Sequence, residues 1–321
     1  MLDFGTASAE PGGIDTGCLE AGELRDGSSF SLPVAAVNGA GTGKTLYIQA
    51  GSDGDEYNGV GVVRNFVEQL DPRKIKGQIL VVGILNFHGF QVAEHRNPID
   101  NKKINRVFPG NPDGSSSDRL ASLVYDEGVE RADLAIDLHQ GSTSRMIDEV
   151  RVRCGGSHRM HGRCLGLAKS FGTRYILDKK GPDGQLARVA PDDGIPTIDP
   201  ELGGSVGWDP DSIERGVTGL FNVLKGYGFL DTDADVPEEQ YVADRFDTYH
   251  SGRGGLLRFR VDLYDEVEEN DLLFEITDVF GNVREKRKAE NPGLVWRKRR
   301  LPNVATGEYV VSVATGLEEM R

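Results

Sequence analysis

Residues 133–141 read DLAIDLHQG. The run is apolar at nearly every position and then ends abruptly in a histidine and a glutamine. A strand with one wet face alternates apolar and polar residues. A near-continuous apolar strand belongs instead to a sheet covered on both faces. The same pattern recurs on either side of it. TLYIQA (45–50) reads as a strand and NGVGVVRNFVEQL (58–70) as an amphipathic helix, followed by a second buried strand, GQILVVGIL (77–85). SDRLASLVYDEGVERA (117–132) reads as a helix with Asp118 suited to its first turn, and HRMHGRCLGLAKSFG (158–172) as a helix closed by Gly172. Strands follow at TRYIL (173–177) and IPTIDPELGG (195–204), and a last helix at SIERGVTGLFNVLKGYG (212–228). Strands alternating with helices predict an α/β fold with a mixed, largely parallel sheet sandwiched by helices.

The flanks differ. Residues 1–40 read as short strands and turns, an N-terminal β segment. Residues 232–240, TDADVPEEQ, are acidic and turn-rich and read as a linker. Short alternating strands punctuated by Gly, Asn and Pro then predict a small all-β domain. The expected division is 1–235 for the α/β domain and 236–321 for the β domain.

A formal net charge of −14 over 321 residues argues against a nucleic-acid partner, which needs a basic face. No run of 18 apolar residues is present, so no membrane span is expected, and MLDFGTASAEPGG does not read as a secretory signal. Three widely spaced cysteines, Cys18, Cys154 and Cys164, fit neither a disulfide framework nor a cysteine zinc site and suit a reducing cytoplasm. The oligomeric state is left open, a homo-oligomer included. GAGTGKT (39–45) resembles the end of a phosphate-binding loop, but Asn38 stands where the pattern needs Gly, and the order is turn then strand. An ordinary turn is expected there.

Ligands of open α/β sheets gather beyond the carboxyl ends of the strands. Three predicted strand ends carry polar residues: Asp53 and Glu56 after the first, His139 in DLHQG, and Glu201 in PELGG. Singly, each could cap a helix or solvate a loop. Together, carboxylates and an imidazole converging on one edge make a metal hydrolase site. The long loop EHRNPIDNKKINRVFPG (94–110) adds Arg96, Asn105 and Arg106. A guanidinium grips a carboxylate through two parallel donors, which Lys cannot do; the competing reading is a solvated basic loop. His158 and His161 read as residues of a solvated helix, and His88, just past the second strand, as an extra ligand of lesser weight.

At these motifs the chain resembles the succinylglutamate desuccinylase/aspartoacylase family, relatives of the zinc carboxypeptidases. The residues that carry the resemblance are GSDGDEYNG (51–59), NPIDNKKINRVFPG (97–110), AIDLHQG (135–141) and IDPELGG (198–204), with the tail from GGLLRF (254–259) on. The resemblance implies a zinc carboxypeptidase-like fold and a metal-dependent amidohydrolase that removes an N-acyl group from a small amino-acid-like substrate. It implies that Glu56 and His139 hold one divalent metal, Zn2+ in the first place. It further implies that Glu201 is the general base, that Arg96 polarises the scissile carbonyl, and that Asn105 and Arg106 bind a substrate carboxylate. Asp137 is a candidate to orient His139. The chain departs from the family at Asp53, where the family has a zinc-binding His. An Asp there makes the site harder and more anionic and favours ions such as Mn2+. The alternative is a catalytically silent relative that binds a small carboxylated ligand.

Overall fold

The computed structural model describes residues 1–204 and 207–320. Its centre is a ten-stranded sheet. In chain order the strands are β1 (Gly13–Glu23), β2 (Ser29–Asn38), β3 (Gly41–Ala50), β4 (Lys76–Val82), β5 (Leu134–Leu138), β6 (Glu149–Val152), β7 (Tyr175–Asp178), β8 (Thr197–Glu201), β9 (Tyr241–Ala243) and β10 (Leu317–Glu319). The spatial order is β10-β9-β7-β6-β8-β5-β3-β4-β2-β1. The β4–β3–β5–β8 block is parallel throughout, as are β6–β7 and β7–β9, while β6 runs antiparallel to β8. This is the mixed, largely parallel sheet expected from the buried strands.

Helices cover both faces. They are α1 (Tyr57–Gln69), α2 (Phe87–Val92), α3 (Ser116–Glu127), α4 (His161–Phe171), α5 (Leu186–Val189) and α6 (Pro210–Gly226). Alternate residues of β3 show the two-sided burial: Leu46 and Ile48 pack with α1, α4 and α6, whereas Tyr47 packs with α3 and the N-terminal strands. α3 starts at a capping box between Ser115 and Asp118, which fixes its register as the first-turn Asp predicted. α4 ends at Gly172 in the left-handed region (φ 87°). The 39–45 segment is a turn running into β3, so it opens no helix.

Ile136 is fully buried at the middle of β5, paired with Ile48 on one side and Ile198 on the other. Ile136→Ala is expected to cost about 2–5 kcal/mol, because the rigid sheet cannot close over the cavity. A lower urea midpoint at unchanged slope checks this.

The long loop after the second buried strand is not structureless; it contains α2 and a single turn at Ile104–Arg106. Beyond residue 245 the chain forms two small sheets, with strands such as Leu272–Thr277 and Gly293–Arg299. β9 and β10, which also lie beyond residue 236, add edge strands to the large sheet, and Ser144–Met146 pairs with Gly293–Arg299. The Trp296 indole donates to the buried Glu149 carboxylate on β6. No described helix is long and apolar enough to cross a membrane.

Candidate active site

The parallel block aligns its carboxyl ends. Ala50 of β3 pairs with Leu138 of β5, and one residue further His139 bridges to Glu201 at the end of β8. Every residue just beyond these ends is therefore delivered to one edge. The β3 exit loop, 51–56, runs against the end of α2: a Cβ on Gly54 would stand 2.3 Å from the Gly89 carbonyl carbon and 2.5 Å from the Glu94 oxygen. Only glycine permits that approach, and the approach presses the loop against residues 94–95.

Asp53, Glu56 and His139 come together there, all buried, with one ligand atom of each within 4.8 Å of the others. His139 Nδ1 lies 2.9 Å from Glu56 Oε2 and 3.9 Å from Asp53 Oδ2. Its Nε2 lies 2.9 Å from Asp137 Oδ2 and 2.9 Å from the Asn105 amide. Residues two apart on a strand share a face, so Asp137 reaches His139 by strand geometry alone. A proton on Nε2 directed at Asp137 would leave the Nδ1 lone pair facing Glu56 and Asp53; as placed, Asp137 Oδ2 accepts no hydrogen bond, and Nδ1 is the nitrogen within hydrogen-bond distance of Glu56. Burial, with Asp53 beside it, pushes the Glu56 carboxyl up to about 7 against the opposing pull of His139. Asp53 Oδ1 is buried without a hydrogen-bond partner. Two crowded carboxylates, one with an orphaned oxygen, and an imidazole lone pair form a donor set that fits a divalent cation.

Glu201 is buried, and its Oε1 pairs with Arg151 Nη1 at 2.5 Å; Arg151 also holds Glu149 at 2.6 Å. Burial would raise the Glu201 carboxyl, but Arg151, His139, Arg297 and Arg153 together hold it below the usual glutamate range. It is thus ionised at neutral pH. Asp199, two residues before Glu201, is pushed up to about 7 by burial, with His139 pulling it down and Asp137 pushing it up.

The long loop contributes differently from expectation. It is pinned to α3 through Asp100, which accepts from Ser115 Oγ, Ser117 N and Ser117 Oγ at 2.6–2.8 Å. Asn105 is buried and touches His139, so it meets the imidazole directly. Arg96 and Arg106 are exposed: Arg96 donates to the Asn101 carbonyl and Arg106 to the carbonyl of Asn105. Among the described residues, neither guanidinium forms an ion pair with Asp53 or Glu56. Besides Asn105, this loop brings His95, 3.5 Å from Asp53 and 2.9 Å from Asp55, and Lys103, 3.9 Å from Asp53. His88 stacks on Phe30 at 4.6 Å and joins none of the clusters of potential ligands among the described residues. His158 lies in the turn before α4 and His161 opens the helix; they pair with Asp192 and Asp178, and with side chains only 19% and 20% exposed neither is the solvated helix residue expected. His95, Asp55 and Arg151 were missed, the first two because adjacent loop residues carry no periodicity. Arg151 was missed because EVRVR reads as an ordinary half-exposed strand.

Known proteins resemble this chain over most of its length. Residues 42–227 match the model of the succinylglutamate desuccinylase/aspartoacylase catalytic domain. The chain is 27% identical to the N-alpha-acetyl-L-2,4-diaminobutyric acid deacetylase of Halomonas elongata, over 98% of this chain and 95% of that one. Among solved structures, a succinylglutamate desuccinylase from Silicibacter sp. TM1040 superposes with a TM-score of 0.87 at 23% identity, covering 98% of this chain and 100% of that one. The product-bound ectoine utilization protein EutE from Ruegeria pomeroyi also gives 0.87 at 23% identity, covering 97% and 98%. These two share the fold. The match to the family model spans more than half of the chain, and the chain belongs to the succinylglutamate desuccinylase/aspartoacylase family of hydrolases that act on amides.

Proposed function

We propose that the chain is a metal-dependent deacylase that removes an N-acyl group from a small amino-acid-like substrate. The observation that carries this reading is the meeting of Asp53, Glu56 and His139 at the strand edge, with Glu201 as the sheet neighbour of His139. A divalent ion held by these three residues would supply a Lewis acid for the amide carbonyl and for water. Glu201, ionised, takes a proton from the attacking water and returns it to the departing amine. Asp137 and Asn105 flank Nε2 of the His139 ring. Arg151 fixes the Glu201 carboxylate and keeps it charged. Arg96 and Arg106 each spend one N–H on the Asn101 or Asn105 carbonyl and keep other donors for the substrate roles expected of them. Zinc is the first metal to test, and the extra carboxylate of Asp53 makes Mn2+ the second. The three cysteines are free, which suits a cytoplasmic protein.

The Halomonas relative makes N-acetylated diaminobutyrate the first substrate to try. Metal-loaded protein is expected to release free amine from one or more members of a panel of N-acyl amino acids, and to lose that activity with a chelator. A ligand that binds to the loaded protein and is never hydrolysed would establish the silent binder instead. Its motivating features are Asp53 in place of an imidazole and the tight hold of Arg151 on Glu201.

A further inference from the structure

Two imidazoles, not one, are aimed at the Asp53–Glu56 pair. His139 has Nε2 beside Asp137 at 2.9 Å and Nδ1 facing Glu56 and Asp53. His95 mirrors it. Its Nδ1 lies 2.9 Å from Asp55 Oδ1, and its Nε2 lies 3.5 Å from Asp53 Oδ1, the buried oxygen that has no hydrogen-bond partner. In His139 the Asp137 carboxylate stands beside Nε2, although its Oδ2 accepts no hydrogen bond as placed; in His95 the Asp55 carboxylate takes the N–H and leaves the Nε2 lone pair facing Asp53. That is how metal-bound histidines are held. Asp55, Glu56 and His95 also offer ligand atoms within 4.8 Å of one another.

Asp53 lies between the two rings, with Oδ1 toward His95 and Oδ2 toward His139, while Glu56 Oε1 is 3.8 Å from His95 Nδ1, so small side-chain shifts are needed to bring all four residues onto one ion. Donors at about 2.1 Å around a tetrahedral ion stand roughly 3.4 Å apart. His95 Nε2 to Asp53 is 3.5 Å, and His139 Nδ1 is 2.9 Å from Glu56 and 3.9 Å from Asp53. His95 is placed to act because the backbone turns at Ala93 (φ 56°), which closes α2 and sends residues 94–95 back over Gly54.

We propose that His95 is a metal ligand that supplies the second imidazole, so that the ion sits among Asp53, Glu56, His95 and His139. Asp55 is then a positioning residue that sets the His95 tautomer. The proposal rests on the metal-dependent reading above and deepens it. It removes the difficulty posed by Asp53: the site keeps two imidazoles, with one arriving from the 94–110 loop instead of from position 53. It also ties the metal to that loop, since Asn105 touches His139 from the same segment.

The test is metal binding, read without turnover. Zinc affinity of the full-length protein is measured by competition with a chromogenic chelator, and the Co2+ form is examined by proton NMR for exchangeable ring N–H signals. Wild type is expected to show two such signals, from His95 Nδ1–H and His139 Nε2–H. His95→Ala is expected to lose one signal and to bind zinc about a hundredfold more weakly. Asp55→Asn, which leaves the ligand in place, is expected to weaken zinc about tenfold. Asp53→His introduced into the His95→Ala chain is expected to recover most of the loss. If His95→Ala binds zinc as tightly as wild type and keeps both signals, His95 is not a ligand, and the hydrolase reading stands without it. If wild type takes up no metal, with Lys103 (3.9 Å from Asp53 Oδ2) and His95 neutralising the carboxylates instead, both the proposal and the metal-dependent hydrolase are overturned.

Discussion

Glu201→Gln is expected to lower turnover by roughly a hundredfold or more while zinc binding is retained. Glutamine keeps the shape of the side chain and can still accept from Arg151, but it cannot take a proton from water. The effect belongs in kcat, because the lost interaction exists only as the proton moves. Metal content, measured on the same sample, separates this from a collapsed site. Glu201 is not among the residues that converge on Asp53, so zinc stoichiometry should not change. Turnover equal to wild type would remove Glu201 from the mechanism.

Arg151→Met is expected to lower stability strongly. Arg151 lies between Glu149, which is fully buried, and Glu201. Removing one partner of a buried ion pair leaves an uncompensated charge and costs about 3–5 kcal/mol. Here two carboxylates lose their partner, although the Trp296 indole still serves Glu149. Chemical denaturation should show the midpoint falling at pH 7 with the slope unchanged. Burial already pushes Glu149 above the ordinary range, so without Arg151 it has reason to take up a proton. Part of the stability of the variant should therefore return as the pH is lowered toward 5, the opposite of the usual response of a paired carboxylate. A variant as stable as wild type at pH 7 would mean that water, not Arg151, neutralises this pair.

The fold was legible because its signals are local. DLAIDLHQG and GQILVVGIL are apolar enough to demand cover on both faces, and the helices between them announce themselves by period and caps. The strand-end residues were legible for a related reason. Parallel register aligns the carboxyl ends of β3, β5 and β8, so Asp53, Glu56, His139 and Glu201 had to come near one edge. The loop was not legible at the level of side chains. His95 and Arg96 are neighbours with opposite fates, one turned in over Gly54 and one out to the Asn101 carbonyl. That choice is made by the turn at Ala93 and by the anchoring of Asp100 on α3, both set by tertiary packing. Arg151 was hidden for another reason: its partner Glu201 lies 50 residues away, on the antiparallel neighbour β8. The contribution of β9 and β10 to the large sheet was equally invisible in a segment whose composition marks a linker and a separate β unit.

A single metal site at Asp53, Glu56 and His139 is proposed to drive amide hydrolysis. It is tested most directly by titrating zinc into chelator-stripped protein while following amine release from an N-acetylated amino acid substrate. Amine release is expected to rise linearly with zinc and to level off at one equivalent per chain. Release that is already complete in the stripped protein, or that stays absent at every zinc and manganese concentration, would contradict it.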